Sequence, residues 1–204
     1  MRRATTMAFA PRMHVFPGGR VDSRDYEIDV TFVGPDSEAR RLARRASAHE
    51  SDMRALYACA VRETQEETGV VLALAGVDGG IVIDAAVMPI ADHWVTPEFE
   101  SHRYDVRFFA ALLPAGQDAQ LTTTEADHAD WIPAAAAVEK FDAGGMAMLP
   151  PTITMLRYLA GFGDCAGMLA DAGARNVVPL LPVRTNHDDG TTTWALVHDT
   201  EGRP

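Results

Sequence analysis

The sequence predicts a single domain of the α+β class. Three features carry that expectation: one long amphipathic helix closed by Gly69, a succession of short β-rich segments through the middle, and a tail where helix and strand signals alternate. A chain of 204 residues and 22.1 kDa is long enough to bury one core, so residues 1–204 are read as one domain. Apolar residues make up 47% and charged residues 23%, the balance of a folded globular protein.

Taken in order, Met13-His14-Val15-Phe16 reads as a short strand stopped by Pro17-Gly18-Gly19, where two glycines permit a turn and a close approach. The next stretch is polar and mixed, with a strand expected at 29–33 and a basic helix at 36–45, and it reads as an inserted segment at about 21–46. Ser47-Ala48-His49-Glu50 has the capping-box form, and the helix it opens runs to about Thr68, where Gly69 suits a left-handed cap. Met53, Leu56, Tyr57, Ala60, Val61 and Thr64 recur at helical spacing and form one stripe for packing on a sheet. Strands are expected at 70–75, 81–90 and 103–112, where β-branched and aromatic residues gather. Short helices opened by Pro or Asp are expected at 133–140, 151–160 and 164–172. Strands at 177–181 and 193–197 complete a C-terminal α+β extension of about 150–204.

The net charge of -11 excludes general binding to nucleic acid or to an anionic membrane, since both need a positive surface. The charge is uneven, with 11 Arg and 8 acidic residues in 1–62 but 7 basic and 21 acidic residues in 63–204, so an Arg-rich front end can still hold a small phosphate ligand. No apolar run approaches the roughly 18 to 20 residues that cross a bilayer, and Met1-Arg2-Arg3-Ala4-Thr5 lacks a signal-peptide core, so a cytoplasmic address is expected. Cys59 and Cys165 are too few for a disulfide framework or a thiolate zinc site and are read as packing residues.

The most informative segment is Arg62-Glu63-Thr64-Gln65-Glu66-Glu67-Thr68-Gly69-Val70. Glu63, Glu66 and Glu67 stand at i, i+3 and i+4, which puts three carboxylates on one side of the helix. Like charges so close, near a helix C-terminus, oppose each other and the helix dipole unless cations sit among them. Hard cations such as Mg2+ prefer carboxylate oxygens. An acidic cluster taken alone also fits a solvated helix face.

The letters around the cluster decide between the two. They resemble the Nudix hydrolase family, whose box runs G-x5-E-x7-R-E-U-x-E-E-x-G-U with U a bulky aliphatic. Arg62, Glu63, Glu66, Glu67, Gly69 and Val70 fit its second half, and Val15-Phe16-Pro17-Gly18-Gly19 resembles the strand and turn that open the first. From Gly19 to Arg62 is 43 positions where the unbroken box has 14, so 29 residues are inserted between the halves. Thr64 takes the place of the usual aliphatic. The glutamate of the G-x5-E half has no assigned counterpart, because Arg54 stands eight positions before Arg62, with Glu50 and Asp52 nearby. The split box is similar to the branch that includes the peroxisomal coenzyme A diphosphatase. Ala8-Phe9-Ala10-Pro11, Trp94-Val95-Thr96-Pro97, 103–109 and Leu149-Pro150-Pro151-Thr152 agree with that branch over about residues 7–160. The chain ends without a peroxisomal tripeptide.

The resemblance implies an α/β/α sandwich with a mixed sheet and metal-dependent hydrolysis, with Mg2+ or Mn2+, of a nucleoside diphosphate linked to another group. Coenzyme A and other ADP-containing metabolites are the expected substrates. It makes Glu63, Glu66 and Glu67 metal ligands, with a carbonyl of Gly18 or Gly19 adding an oxygen, and Arg62 an orienting residue. A general base is expected among Glu66, Glu67 and a downstream carboxylate, for which Glu125 in Thr122-Thr123-Thr124-Glu125-Ala126-Asp127 is the candidate; an exposed loop acid is the other reading. Arg20, Arg103 and Tyr104 are candidates for contact with phosphate or base. Trp94 and Phe99 suit either adenine stacking or core packing. His14, His49, His93, His102 and His128 show no metal spacing, and Arg40, Arg41, Arg44 and Arg45 read either as a cover for an anionic site or as a solvated helix face.

Nudix domains usually place a strand ahead of the segment leading into the glycine turn. The expectation is therefore that the 193–197 strand or a partner subunit covers a sheet edge, and a homodimer is predicted. The rival functional reading is a catalytically silent nucleotide-binding module on the same fold.

Overall fold

A computed structural model gives the fold. It describes residues 1–35, 37–46, 48–97, 103–186 and 192–198, with side chains to 183. Nine strands form three small sheets among these residues. In the first, β1 (Arg2–Arg3) pairs antiparallel with β7 (Ala126–His128). In the second, β2 (Val30–Phe32) runs parallel to β4 (Ile81–Ile83), whose other edge takes β3 (Leu74–Ala75) antiparallel. The third has the order β6 (Asp105–Phe109), β5 (Ile90–Val95), β8 (Leu180–Asn186), β9 (Thr192–His198). Strand β8 joins β5 in parallel at Trp94 and Leu180, and the other neighbours are antiparallel. The expected mixture of parallel and antiparallel pairing is present, but divided among separate sheets. The expected 193–197 strand is β9, and it lies at a sheet edge.

The helices are α1 (Glu38–Arg45), α2 (Glu50–Thr68), α3 (Ala134–Asp142), α4 (Pro150–Leu159) and α5 (Cys165–Ala174), each close to its expected span. None is long and apolar enough to cross a membrane among the described residues. Helix α2 is central. Tyr57, fully buried, meets Phe32 of β2 and Phe109 of β6 edge-on, with ring centroids 5.0 and 4.8 Å away. Met53 and Val61 continue this stripe, but Ala55, Ala58 and Cys59 are buried too, so the helix packs on more than the one face its stripe predicts. The segment read as an insertion is part of this core, since Val30, Phe32, Leu42 and Ala43 pack with Tyr57.

Four local expectations need correction. Met13 to Phe16 is no strand; only His14 makes bridges, to Arg2 and Met148. The 70–75 strand shrinks to β3 because the Gln117 amide takes both backbone groups of Val71, at 2.7 and 2.9 Å, where a neighbouring strand would bind. The 81–90 strand breaks at Asp84, whose carboxylate accepts from the Ala86 N–H in a turn, so β4 and β5 enter different sheets. Ser47 lies outside the described residues, and α2 opens with His49 in the cap position and no side-chain cap bond.

Candidate active site

Gly69 ends α2 with a φ of 74°, a conformation glycine takes without steric cost, and its N–H donates to the Gln65 carbonyl. The last turn is then held from outside. The Thr122 hydroxyl donates to the Glu66 carbonyl at 2.6 Å, the Thr122 N–H to Glu67 at 3.1 Å and the Gln120 N–H to Thr68 at 2.9 Å. Carbonyls that a helix end leaves unpaired are thereby satisfied by the 117–122 loop.

The glycine turn meets this helix end at two carboxylates. Gly18 N–H donates to Glu67 Oε2 at 2.8 Å. Gly19 lies so close to Glu63 that a Cβ there would overlap the Glu63 carboxylate. Glu66 faces elsewhere, towards Arg62 Nη1 at 3.2 Å and Arg24 at 3.4 Å. Arg62 Nη1 also donates to Glu63 at 2.7 Å, so a guanidinium spans Glu63 and Glu66. The Gly19 carbonyl meets the Cys59 thiol at 4.0 Å, and the Arg20 carbonyl accepts from Arg62 at 3.1 Å.

Arg62 is anchored by Asp25, the residue that sequence reasoning missed. Asp25 is fully buried and takes both Arg62 Nε and Nη2 at 2.8 Å. The signal was present: counting G-x5-E forward from Gly19, instead of back from Arg62, lands on Asp25. Asp22 and Asp25 also form a reciprocal capping box at the 3-10 turn Ser23–Tyr26, which fixes Asp25 beneath α2. The residues near Arg62 in sequence are engaged otherwise: Arg54 donates to the Val30 carbonyl and to Glu50, and Asp52 accepts from Tyr26.

Glu67 is the strained member. Burial pushes its carboxyl up to about 7, the Gly18 N–H opposes this, and the charges of Glu63 and Glu125 push it further. Glu125 itself is exposed, with its carbonyl accepting from Ala4 N–H at 2.8 Å. The structure thus brings together Glu63, Glu67, Gly18 and Gly19, with Glu125 close enough for its charge to act on Glu67.

Among the described residues, no group of three or more such side chains is gathered to hold a metal ion unaided. A cation of the Mg2+ kind needs only a few carboxylate oxygens, with water and substrate phosphate completing its shell. Glu63 and Glu67 fit that donor set, and an adjacent cation would relieve the repulsion on Glu67.

The remaining candidates lie apart from this cluster. Arg103 Nε donates to the Thr96 carbonyl at 3.2 Å and Tyr104 packs on Phe9, with no bond from either to the glutamates among the described residues. Trp94 is core, its indole N–H donating to Asp92 at 2.9 Å. Phe99 and His102 lie outside the described residues. His93 is buried against Asp105, while Trp131 is exposed and belongs to no strand. Arg45 neither covers the site nor faces only solvent: it donates to the Ala172 and Arg175 carbonyls at the end of α5. Arg41 and Arg40 pair with Glu38 and Glu50. Cys59 is buried as expected, but Cys165 is exposed at the start of α5.

No family model matches the chain. It is 27% identical over 173 residues to "Putative nudix hydrolase 7" of Caenorhabditis elegans, a match covering 80% of this chain and 56% of the relative. The chain thus spans about half the length of the curated relative it matches. A crystal structure of a NUDIX hydrolase from Alicyclobacillus acidocaldarius superposes with a TM-score of 0.65 and 26% identity, over 83% of this chain and 85% of that one. The fold is that of a Nudix hydrolase, and the relative and the fold neighbour together support a Nudix-type hydrolase.

Proposed function

We propose that the chain hydrolyses the diphosphate bond of a nucleoside diphosphate linked to a further group, with coenzyme A and other ADP-containing metabolites as the expected substrates. The observation that supports this reading best is the meeting of Gly18 and Gly19 with Glu67 and Glu63. Mg2+ or Mn2+ would supply charge neutralisation of the diphosphate and activation of the attacking water. Glu63 and Glu67 would hold the cation. Asp25 fixes Arg62, and Arg62 orients Glu63 and Glu66. Glu125, an exposed carboxylate, would accept a proton from water, with Glu66 and Glu67 as the alternatives. The active form is proposed to be cytoplasmic and homodimeric.

One observation favours a silent nucleotide-binding module: Arg62 already compensates Glu63 and Glu66. A single assay separates the readings. Coenzyme A, ADP-ribose, NADH and diadenosine polyphosphates are incubated with Mg2+ or Mn2+, beside Glu67→Gln. Turnover of at least one compound, lost in the variant, supports the enzyme; binding with no turnover supports the module.

A further inference from the structure

Away from the carboxylates, two aromatic side chains stand together at the surface. Phe9 and Tyr104 have ring centroids 5.3 Å apart and planes inclined at 44°, and they remain 47% and 37% exposed. Neither ring belongs to the buried clusters. The loop carrying Phe9 is held in an unfavourable backbone conformation, since Ala10 and Arg12 have φ of 47° and 64° without being glycine. Such conformations persist where surrounding contacts impose them, and they gather at binding sites.

The contacts that impose this loop run back to the candidate active site. Arg3 Nε donates to the Phe9 carbonyl at 3.1 Å, and its backbone pairs with Arg12 and Met13. The next residue, Ala4, donates to the Glu125 carbonyl at 2.8 Å. Two adjacent residues therefore tie the loop that carries Phe9 to the strand end that presents Glu125. The charge of Arg3 also reaches Glu67.

We propose that Phe9 and Tyr104 form the platform on which the nucleobase of the substrate stacks, with Arg3 between platform and carboxylates to meet a phosphate. This rests on the diphosphatase reading and adds to it the residues that recognise the base. Every nucleobase has a π-face that an aromatic side chain can cover, and truncating such a partner to alanine weakens binding by about fivefold to a hundredfold. A guanidinium suits phosphate oxygens by shape and charge. The pair has the two properties such a platform needs, open ring area and a fixed position relative to the reacting centre.

The test uses the full chain with Mg2+ and two probes that carry no diphosphate bond, AMP and ribose 5-phosphate, titrated calorimetrically. The expected result is tighter binding of AMP than of ribose 5-phosphate. Phe9→Ala and Tyr104→Ala weaken AMP about tenfold and leave ribose 5-phosphate unchanged. Phe9→Tyr and Tyr104→Phe, which keep the ring, retain AMP affinity. Equal affinity for both probes overturns the platform, as does an equal loss of both in the alanine variants or full AMP affinity in Phe9→Leu. Cleavage of a nucleotide diphosphate by the wild type, with AMP affinity unmoved in the variants, overturns the platform alone; absence of any cleavage, with AMP weakened in the alanine variants, overturns the diphosphatase reading and leaves the platform standing.

Discussion

Asp25 and Arg62, 37 positions apart, form a two-pronged ion pair in which the carboxylate is wholly buried and both bonds are 2.8 Å long. The pair holds the 3-10 turn after the glycines against α2. The same guanidinium steadies Glu63 and Glu66, so a position with no direct role in the chemistry governs where two carboxylates stand.

Asp25→Asn leaves Arg62 without its buried counter-charge. Removing one partner of such a pair costs about 3–5 kcal/mol, and the bonds Arg62 keeps to Glu63 and Glu66 place this case near the lower end. Urea unfolding is expected to show a loss of about 3 kcal/mol, with turnover falling as Glu63 is released; unchanged stability would contradict the role given to the pair.

Gly19→Ala separates geometry from stability. The new methyl overlaps the Glu63 carboxylate, the free end of a flexible side chain that can move aside, so the folding cost stays below about 1 kcal/mol. A misplaced catalytic group costs far more in rate, and turnover is expected to fall roughly tenfold to a hundredfold. Paired measurements of thermal midpoint and initial rate check this.

Glu67 makes the metal-free protein pH-sensitive. Its carboxyl sits at about 7 in the fold against an ordinary 4.5, so folding favours the protonated form. That contribution is complete below about pH 4.5 and is lost as pH rises through 7. The loss is on the order of 2–3 kcal/mol. Thermal midpoints of the metal-free chain should drop between pH 5 and pH 8. Glu67→Gln, which keeps an acceptor for Gly18 N–H, should flatten that drop. An identical profile in the variant would assign the effect to another group.

Asp105 acts in the opposite sense. Burial raises its carboxyl, but bonds from His93 at 2.5 Å and from Arg107, with their charges, outweigh this and hold it at about 2. A carboxyl lowered by folding contributes stability that is full above its ordinary 3.8 and disappears as pH falls through about 2. Acid unfolding of Asp105→Asn should therefore lack a component between pH 4 and 2, read by circular dichroism.

Much of this was legible in the sequence because it depends on local spacing. The Gly69 stop and the three-four spacing of Met53, Tyr57 and Val61 define α2, and Glu63 to Glu67 declare their own side of it. What was not legible depends on partners distant in the chain. Nothing local to Val71 announces that the Gln117 amide will occupy its backbone and end the strand pairing there. The difference between Glu66 and Glu67 is likewise set from outside, by Arg24 and Arg62 on one and by Gly18 on the other. Asp25 was hidden within the segment read as an insertion, which pushes Arg62 far down the chain.

The measurement that bears most directly on the account is Mn2+ binding to the full chain at pH 8, followed by the paramagnetic resonance of the free ion in the wild type, Glu63→Gln and Glu67→Gln. Saturable uptake by the wild type, weakened at least tenfold in both variants, is the predicted result. Uptake that is absent in the wild type, or equal in all three proteins, would contradict the claim that these two carboxylates grip a cation at the glycine turn.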